Sequence, residues 1–162
     1  RKLDLRDDHL AALPMSTDRK LLSGQVVIVG YGRIGRHIAA TLEQRNVPYI
    51  IADSNREVVE SLRAAGKAAV TGDASDPIVL VQAHITRAAM LVVTTPDALA
   101  SRQMVDIARK LNPEIETVLR SDSEDGAELL RHDKLGEVFV GEQELAKGMA
   151  GYVAERIPAR AG

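Results

Sequence analysis

The chain has 162 residues, 45% of them hydrophobic, no cysteine and a formal net charge of −2, enough to close one core that buries about 70% of the unfolded surface. Dispersed basic residues and an aromatic content of only 2% give neither the electrostatic footprint nor the stacking platforms of a nucleic-acid binder. Without cysteine there are no disulfides, thiolate nucleophiles or Cys-rich zinc sites, and no apolar run approaches the ~20 residues that span a bilayer or forms a signal peptide, so a soluble protein in a reducing, cytoplasmic setting is expected.

Residues 1–22 are polar and mixed in charge around a short apolar patch, Leu10-Ala11-Ala12-Leu13-Pro14, and read as a linker or arm holding about one helical turn. The first residue is Arg1 rather than methionine, which fits either a piece of a longer protein or a processed one. From Gln25 onward, short continuous apolar runs at 26–29, 49–52, 68–70, 91–94, 115–119 and 138–140 have the character of strands covered on both faces. Amphipathic segments separate them. Residues 33–45 place Ile34, Ile38 and Leu42 on one helical face, and residues 56–65 do the same with Val58, Val59 and Leu62. Another helix begins near Pro77. Residues 99–111 repeat the pattern with Met104, Val105 and Ala108 until Asn112-Pro113 stops it, and residues 122–131 and 142–156 read as two more helices, the last ended by Ile157-Pro158. The alternation predicts one α/β domain over residues 23–157, with a tail at 158–162. Its expected form is a Rossmann-like doubly wound parallel sheet of about six strands with helices on both faces, its ligand loops at the carboxyl ends of the strands.

The most informative stretch is Gly30-Tyr31-Gly32-Arg33-Ile34-Gly35. A lone GxGxxG is weak, but this one follows a strand, opens a helix and precedes a carboxylate, Asp53, at about the expected ~20 residues. Gly30 permits the sharp turn, Gly32 lets backbone approach a phosphate, and Gly35 lets the helix lie close to the sheet. The free N–H groups and positive dipole end at the start of the helix favour an anion. Asp53 would accept from ribose hydroxyls and repel a 2′-phosphate, which favours NAD-type or simple adenosine ligands over NADP. Tyr31 within the loop and Ser54 beside the carboxylate belong to the same candidate site.

The runs just described, continued by Gly72-Asp73-Ala74-Ser75, Val92-Val93-Thr94-Thr95-Pro96 and Val118-Leu119-Arg120, resemble a TrkA-N domain, also called an RCK domain. The closing stretch from Val138 to Ala146 is similar to the form carried by Kef-type and YbaL-type monovalent cation:proton antiporters, and residues 1–8 are similar to the linker leaving their last membrane helix. The resemblance implies a regulatory domain on the cytoplasmic face of the inner membrane. It would bind AMP, ATP or NAD(H), dimerise, and bias an attached potassium efflux or antiport pathway. On the same grounds Gly30, Gly32, Arg33, Ile34 and Gly35 would hold phosphate and Asp53 the ribose. Asp73 and Ala74 would line the adenine pocket, and Thr94, Thr95 and Pro96 would border the phosphate or nicotinamide side, with Arg120 after the fifth strand. Kef-type members that respond to glutathione carry Arg-Glu-Thr where this chain has Val140-Gly141-Glu142, which argues against glutathione control.

Read as residues alone, several of these positions have two uses. The Arg33 guanidinium folds over a phosphate or is simply solvated. Asp73 accepts from an adenine amino group or caps the helix near Pro77, and Thr94-Thr95-Pro96 border a ligand or only make the turn into the next helix. Arg120 faces a ligand or forms an exposed ion pair with Asp122 or Glu124. Glu142 suits the dipole of the last helix, or a dimer contact. The four histidines have no ligand spacing. Three functions are open: a nucleotide-sensing regulator without a reacting centre, an NAD-dependent oxidoreductase, and an architectural dimerisation module with a fixed nucleotide. The second is disfavoured because no tyrosine has a lysine four residues on and there is no second domain for substrate.

Overall fold

Valine and isoleucine dominate the apolar runs, and β-branched residues buried on both sides favour a pleated layer between helices. The computed structural model describes residues 8–161. Its elements are β1 (Val26–Val29), α1 (Arg33–Gln44), β2 (Tyr49–Asp53), α2 (Arg56–Ala64), β3 (Ala69–Thr71), α3 (Pro77–Gln82), β4 (Met90–Val93), α4 (Ala98–Leu111), β5 (Glu116–Ser121), α5 (Glu124–His132), β6 (Glu137–Val140) and α6 (Gly141–Arg156). The strands form one parallel sheet in the order β3-β2-β1-β4-β5-β6. Winding reverses between β1 and β4, so the crevice beyond their carboxyl ends is the topological switch point.

Alternate residues of β1 to β4 feed two cores. Val27, Val29, Ile50 and Leu91 pack with residues of α3, α4 and α5. Val26, Ile28 and Ile51 pack with Ala39 of α1 and with Val59 and Leu62 of α2. Helices therefore lie on both faces, but unevenly. Phe139 of β6 is 44% exposed, and α6 leaves the end of β6 with no buried residue along its length.

The helix starts follow local capping. Asn55, Asp76, Asp97 and Ser123 accept from first-turn amides and set the beginnings of α2, α3, α4 and α5. The Ser123 cap is why α5 begins at Glu124 instead of residue 122. β5 runs two residues past its apolar run because Arg120 and Ser121 stay paired with Phe139 and Val140 of β6. Arg120, expected after the fifth strand, thus lies within it. β4 is displaced by one residue, taking in Met90 and ending before Thr94.

The expected linker lies partly outside the described residues, at 1–7. From residue 8 onward its leucines pack against the domain: Leu10 is 1% exposed within the core on the α1 and α2 side, and Leu13, Leu21 and Leu22 pack on the other. Its helical content is one 3-10 turn, Arg19–Leu21, capped by Asp18. Among the described residues, no helix is long and apolar enough to cross a membrane.

Ile50 sits in β2, one strand in from the edge of the sheet, with no exposed surface. Ile50→Ala is expected to lower unfolding free energy by about 2–5 kcal/mol, read as a lower urea midpoint at an unchanged slope.

Candidate functional site

β1 hands over to α1 through a loop whose glycines have different causes. Gly30 has φ +94°, a left-handed conformation, and a β-carbon there would lie 2.4 Å from the Thr94 hydroxyl. A β-carbon on Gly35 would lie 2.1 Å from the Gly30 carbonyl oxygen, so the first turn of α1 rests directly on the loop backbone. Gly32 differs. Its β-carbon would meet nothing within 4 Å, and its φ of −85° is open to any residue. As the N-cap of α1 it supplies no side-chain bond, so the opening amides of that helix lack the acceptor given to α2 through α5.

Asp53 ends β2 and ties the loop down. Its Oδ2 accepts from the Tyr31 amide at 2.8 Å and its Oδ1 from the Asn55 amide at 2.8 Å, while Asn55 caps α2 through the amides of Glu57 and Val58. Beneath the loop, the buried Thr94 hydroxyl lies 2.7 Å from the Val29 carbonyl oxygen and 3.2 Å from that of Gly30, donating to this pair of acceptors. Arg120 donates to the Thr94 carbonyl at 2.9 Å and pairs with Asp122 at 3.2 Å. Thr94 and Arg120 are thus braces of the loop, and the Asp122 pair is the smaller part of what Arg120 does.

Between the ends of β1, β2 and β3 and the start of α4 lies a cleft of about 260 Å³. Of the fourteen residues singled out by sequence, Gly30, Asp53, Ser54, Asp73, Ala74 and Thr95 line it. Asp73 is exposed. Its Oδ1 accepts from the Ser75 hydroxyl at 2.7 Å and the Ser75 amide at 2.9 Å, and these bonds, the hydroxyl first, hold its carboxyl below the ordinary aspartate value. Asp73 does not cap α3; Asp76 does, through the Ile78 amide.

The other candidates lie elsewhere. Ile34, Thr94 and Arg120 line a second cleft of about 290 Å³, almost wholly apolar, with Ile38, Val92 and Phe139. Tyr31 turns to a groove between α1 and α2, where the Arg36 guanidinium lies 5.4 Å from its ring centroid. Gly32, Arg33 and Pro96 are exposed and Gly35 is buried. Sequence reasoning missed Gly72, Ala100 and Met104 in the wall of the first cleft. Ala100 and Met104 stand four apart on α4 just after the β4 turn, a spacing that marks one helix face turned toward the strand ends.

Comparison with known proteins places this geometry among relatives. The TrkA-N domain model matches residues 26–140. YbaL of Escherichia coli (strain K12), which bears the name of a cation/proton antiporter, is 30% identical over 128 residues; the match takes in 79% of this chain, which spans 23% of that relative's length. The crystal structure of the TrkA-N domain of inner membrane protein YbaL from Escherichia coli superposes with a TM-score of 0.76 at 29% identity, over 80% of this chain and 96% of that one. The Shewanella denitrificans Kef CTD in its AMP-bound form has a TM-score of 0.68 at 21% identity over 77% and 75%. The GsuK channel bound to NAD has 0.66 at 22% over 85% and 24%. The last two show the shared fold.

The glycines separate by substitution. Gly35→Ala, driven against backbone, is expected to cost about 1–3 kcal/mol or more, whereas Gly32→Ala should stay within about 1 kcal/mol of the parent. Thermal and urea unfolding of the two variants side by side check the contrast.

Proposed function

Because the chain belongs to the TrkA-N domain family, we propose that it is a regulatory domain of a monovalent-cation transporter of the potassium efflux or cation/proton antiport kind. It binds an adenine nucleotide beyond β1 and passes occupancy to an attached membrane-spanning part, at the cytoplasmic face of the inner membrane. The observation that carries this reading is the opening of α1: amides without a side-chain cap, facing open space at Gly32, with the Asp53 carboxylate 2.8 Å from the loop amide of Tyr31. A phosphate takes the amides and the dipole end. Ribose hydroxyls donate to Asp53, and the adenine enters the cleft between Asp73–Ala74 and Thr95, Ala100 and Met104. Arg33, exposed at the first position of α1, adds a charge-assisted bond to the phosphate. Ser54 and Thr95 supply polar rims, and Pro96 shapes the turn behind them.

At about 260 Å³ the cleft falls under the ~300–1,000 Å³ of pockets that enclose a whole drug-sized ligand. It suits the adenosine end, with the phosphates outside over the glycine loop. AMP, bound to the Kef CTD, and NAD, bound to GsuK, both present that end, and ATP shares it. In a dinucleotide the second half passes Thr94 and Arg120 toward the apolar cleft. The cleft offers Asp53 and Asp73 as its ionisable groups and no histidine, lysine or tyrosine, which supports sensing over hydride-transfer chemistry. A sensor needs only a nucleotide that prefers one conformation, since a tenfold preference is about 1.4 kcal/mol of population shift.

The partner in this reading is a second copy of the chain. On α6, Leu145, Met149 and Val153 recur every four residues and are 64%, 63% and 57% exposed, and Ile157, 66% exposed, follows just past the helix end, one unpartnered apolar stripe. The same chain offers an apolar counterpart in the cleft of Ile34, Ile38, Val92 and Phe139, so two copies related by a twofold axis satisfy both surfaces at once.

Calorimetric titration should give saturable binding of AMP and NADH, weaker binding of NADPH, and a loss of about tenfold or more, ~1.4 kcal/mol, in Asp53→Ala. Gly32→Ala should fold and bind poorly. No heat from AMP or NADH at millimolar concentration removes the reading. Sedimentation should show a dimer for the parent and a monomer for Met149→Glu; a monomeric parent rejects the second-copy assignment.

A further inference from the structure

Arg63 on α2 spends its guanidinium on four backbone carbonyls. Nε donates to Ala69 at 2.8 Å, Nη1 to His9 at 2.6 Å, and Nη2 to Leu10 at 3.2 Å and to Ala12. Three of the four belong to the segment ahead of the sheet. The Leu10 carbonyl also accepts from the amide of Thr71, the last residue of β3, at 2.8 Å, and the Leu10 side chain is buried with Val59, Leu62 and Ala69. Asp8 accepts from the Leu10 amide at 3.1 Å and pairs with Arg56 of α2. β3 is the terminal strand of the sheet, so residues 8–12 lie along an edge that otherwise exposes unpaired amides.

The place where the segment is fastened matters. Thr71 is followed at once by Gly72, Asp73 and Ala74, one wall of the cleft. Gly72 has φ +141°, a β-carbon there would lie 2.5 Å from Val79 Cγ2, and its amide donates to the Asp53 carbonyl at 3.1 Å. The wall is thus pinned on its cleft side by Asp53, behind by α3, and at its root by Leu10.

We propose that residues 8–12 form a latch on the nucleotide cleft, with Arg63 as the positioning residue that holds it, so that docking of the segment on β3 and occupancy of the cleft stabilise one another. This rests on the adenine-nucleotide reading above. It names the route by which occupancy reaches the chain preceding the domain: a bound adenosine fixes residues 72–74, which fixes Thr71 and retains Leu10. The coupling is reciprocal, so release of the segment loosens the wall and weakens the nucleotide by the same factor. Arginine suits the role because its five donors in a rigid fork serve several carbonyls together, and lysine, a single point of charge, does not replace it.

The test is amide hydrogen exchange of the wild-type protein with and without AMP, paired with AMP titration of Arg63→Ala and Arg63→Lys. AMP should slow exchange at Thr71 by about fivefold or more, while amides that exchange by local opening at the far edge of the sheet, such as those of β6, stay unchanged, and both variants should bind AMP more weakly by a similar factor. AMP binding that leaves Thr71 unchanged, or slows Thr71 and β6 alike, overturns the latch, as does unchanged affinity in variants that fold. The wild-type exchange comparison decides the matter if the variants do not fold. Absence of AMP binding to the wild type overturns the nucleotide reading and the latch with it, an outcome distinct from binding without coupling.

Discussion

The contact between the first turn of α1 and the carbonyl of Gly30 sets the geometry of the whole upper end of the sheet. With no β-carbon at position 35, the helix comes down onto the end of β1, where a side chain would meet backbone oxygen at 2.1 Å. That approach aims the helix start over the switch point and leaves its opening amides facing outward. The buried hydroxyl of Thr94 and the carboxylate of Asp53 hold the loop from opposite sides. Each therefore serves the unliganded fold before it serves any ligand. Asp53 joins two loops at once: Oδ2 takes the Tyr31 amide and Oδ1 the Asn55 amide.

The two ends of the cleft want opposite things. Backbone amides at α1 favour negative charge, while Asp53 and Asp73 on the other walls offer acceptors to groups that donate. A molecule that satisfies both carries an anion at one end and hydroxyl or amino donors at the other, with a flat apolar body to lie against Ala74, Ala100 and Met104. The walls that meet it carry two carboxylates, the hydroxyls of Ser54 and Thr95, and apolar side chains.

Much of this was legible in the amino-acid order because burial on both faces forces strands into continuous apolar runs, and β1 and β2 announce themselves in that way. β5 did so over 115–119 but not to its end, since Arg120 and Ser121 are held by ladder bonds to β6 and not by hydrophobicity. The cluster of Gly30, Asp53, Ser54, Asp73, Ala74 and Thr95 follows from their common position after strand ends. The direction of side chains does not follow: Tyr31 turns toward Arg36, and Thr94 and Arg120 turn to the loop backbone. Residues 8–13 were the least readable. Leu10 opens a patch of only a few apolar residues with no period of helix or strand, and its place is held by Arg63, fifty-three positions later in the chain.

α6 carries a consequence of its own. It extends sixteen residues beyond β6 without burying one of them, and a peptide of about that length alone in water hovers near the midpoint between coil and helix. Under the second-copy assignment, association is also what keeps this helix wound, so the backbone of α6 would answer to the concentration of its own chain.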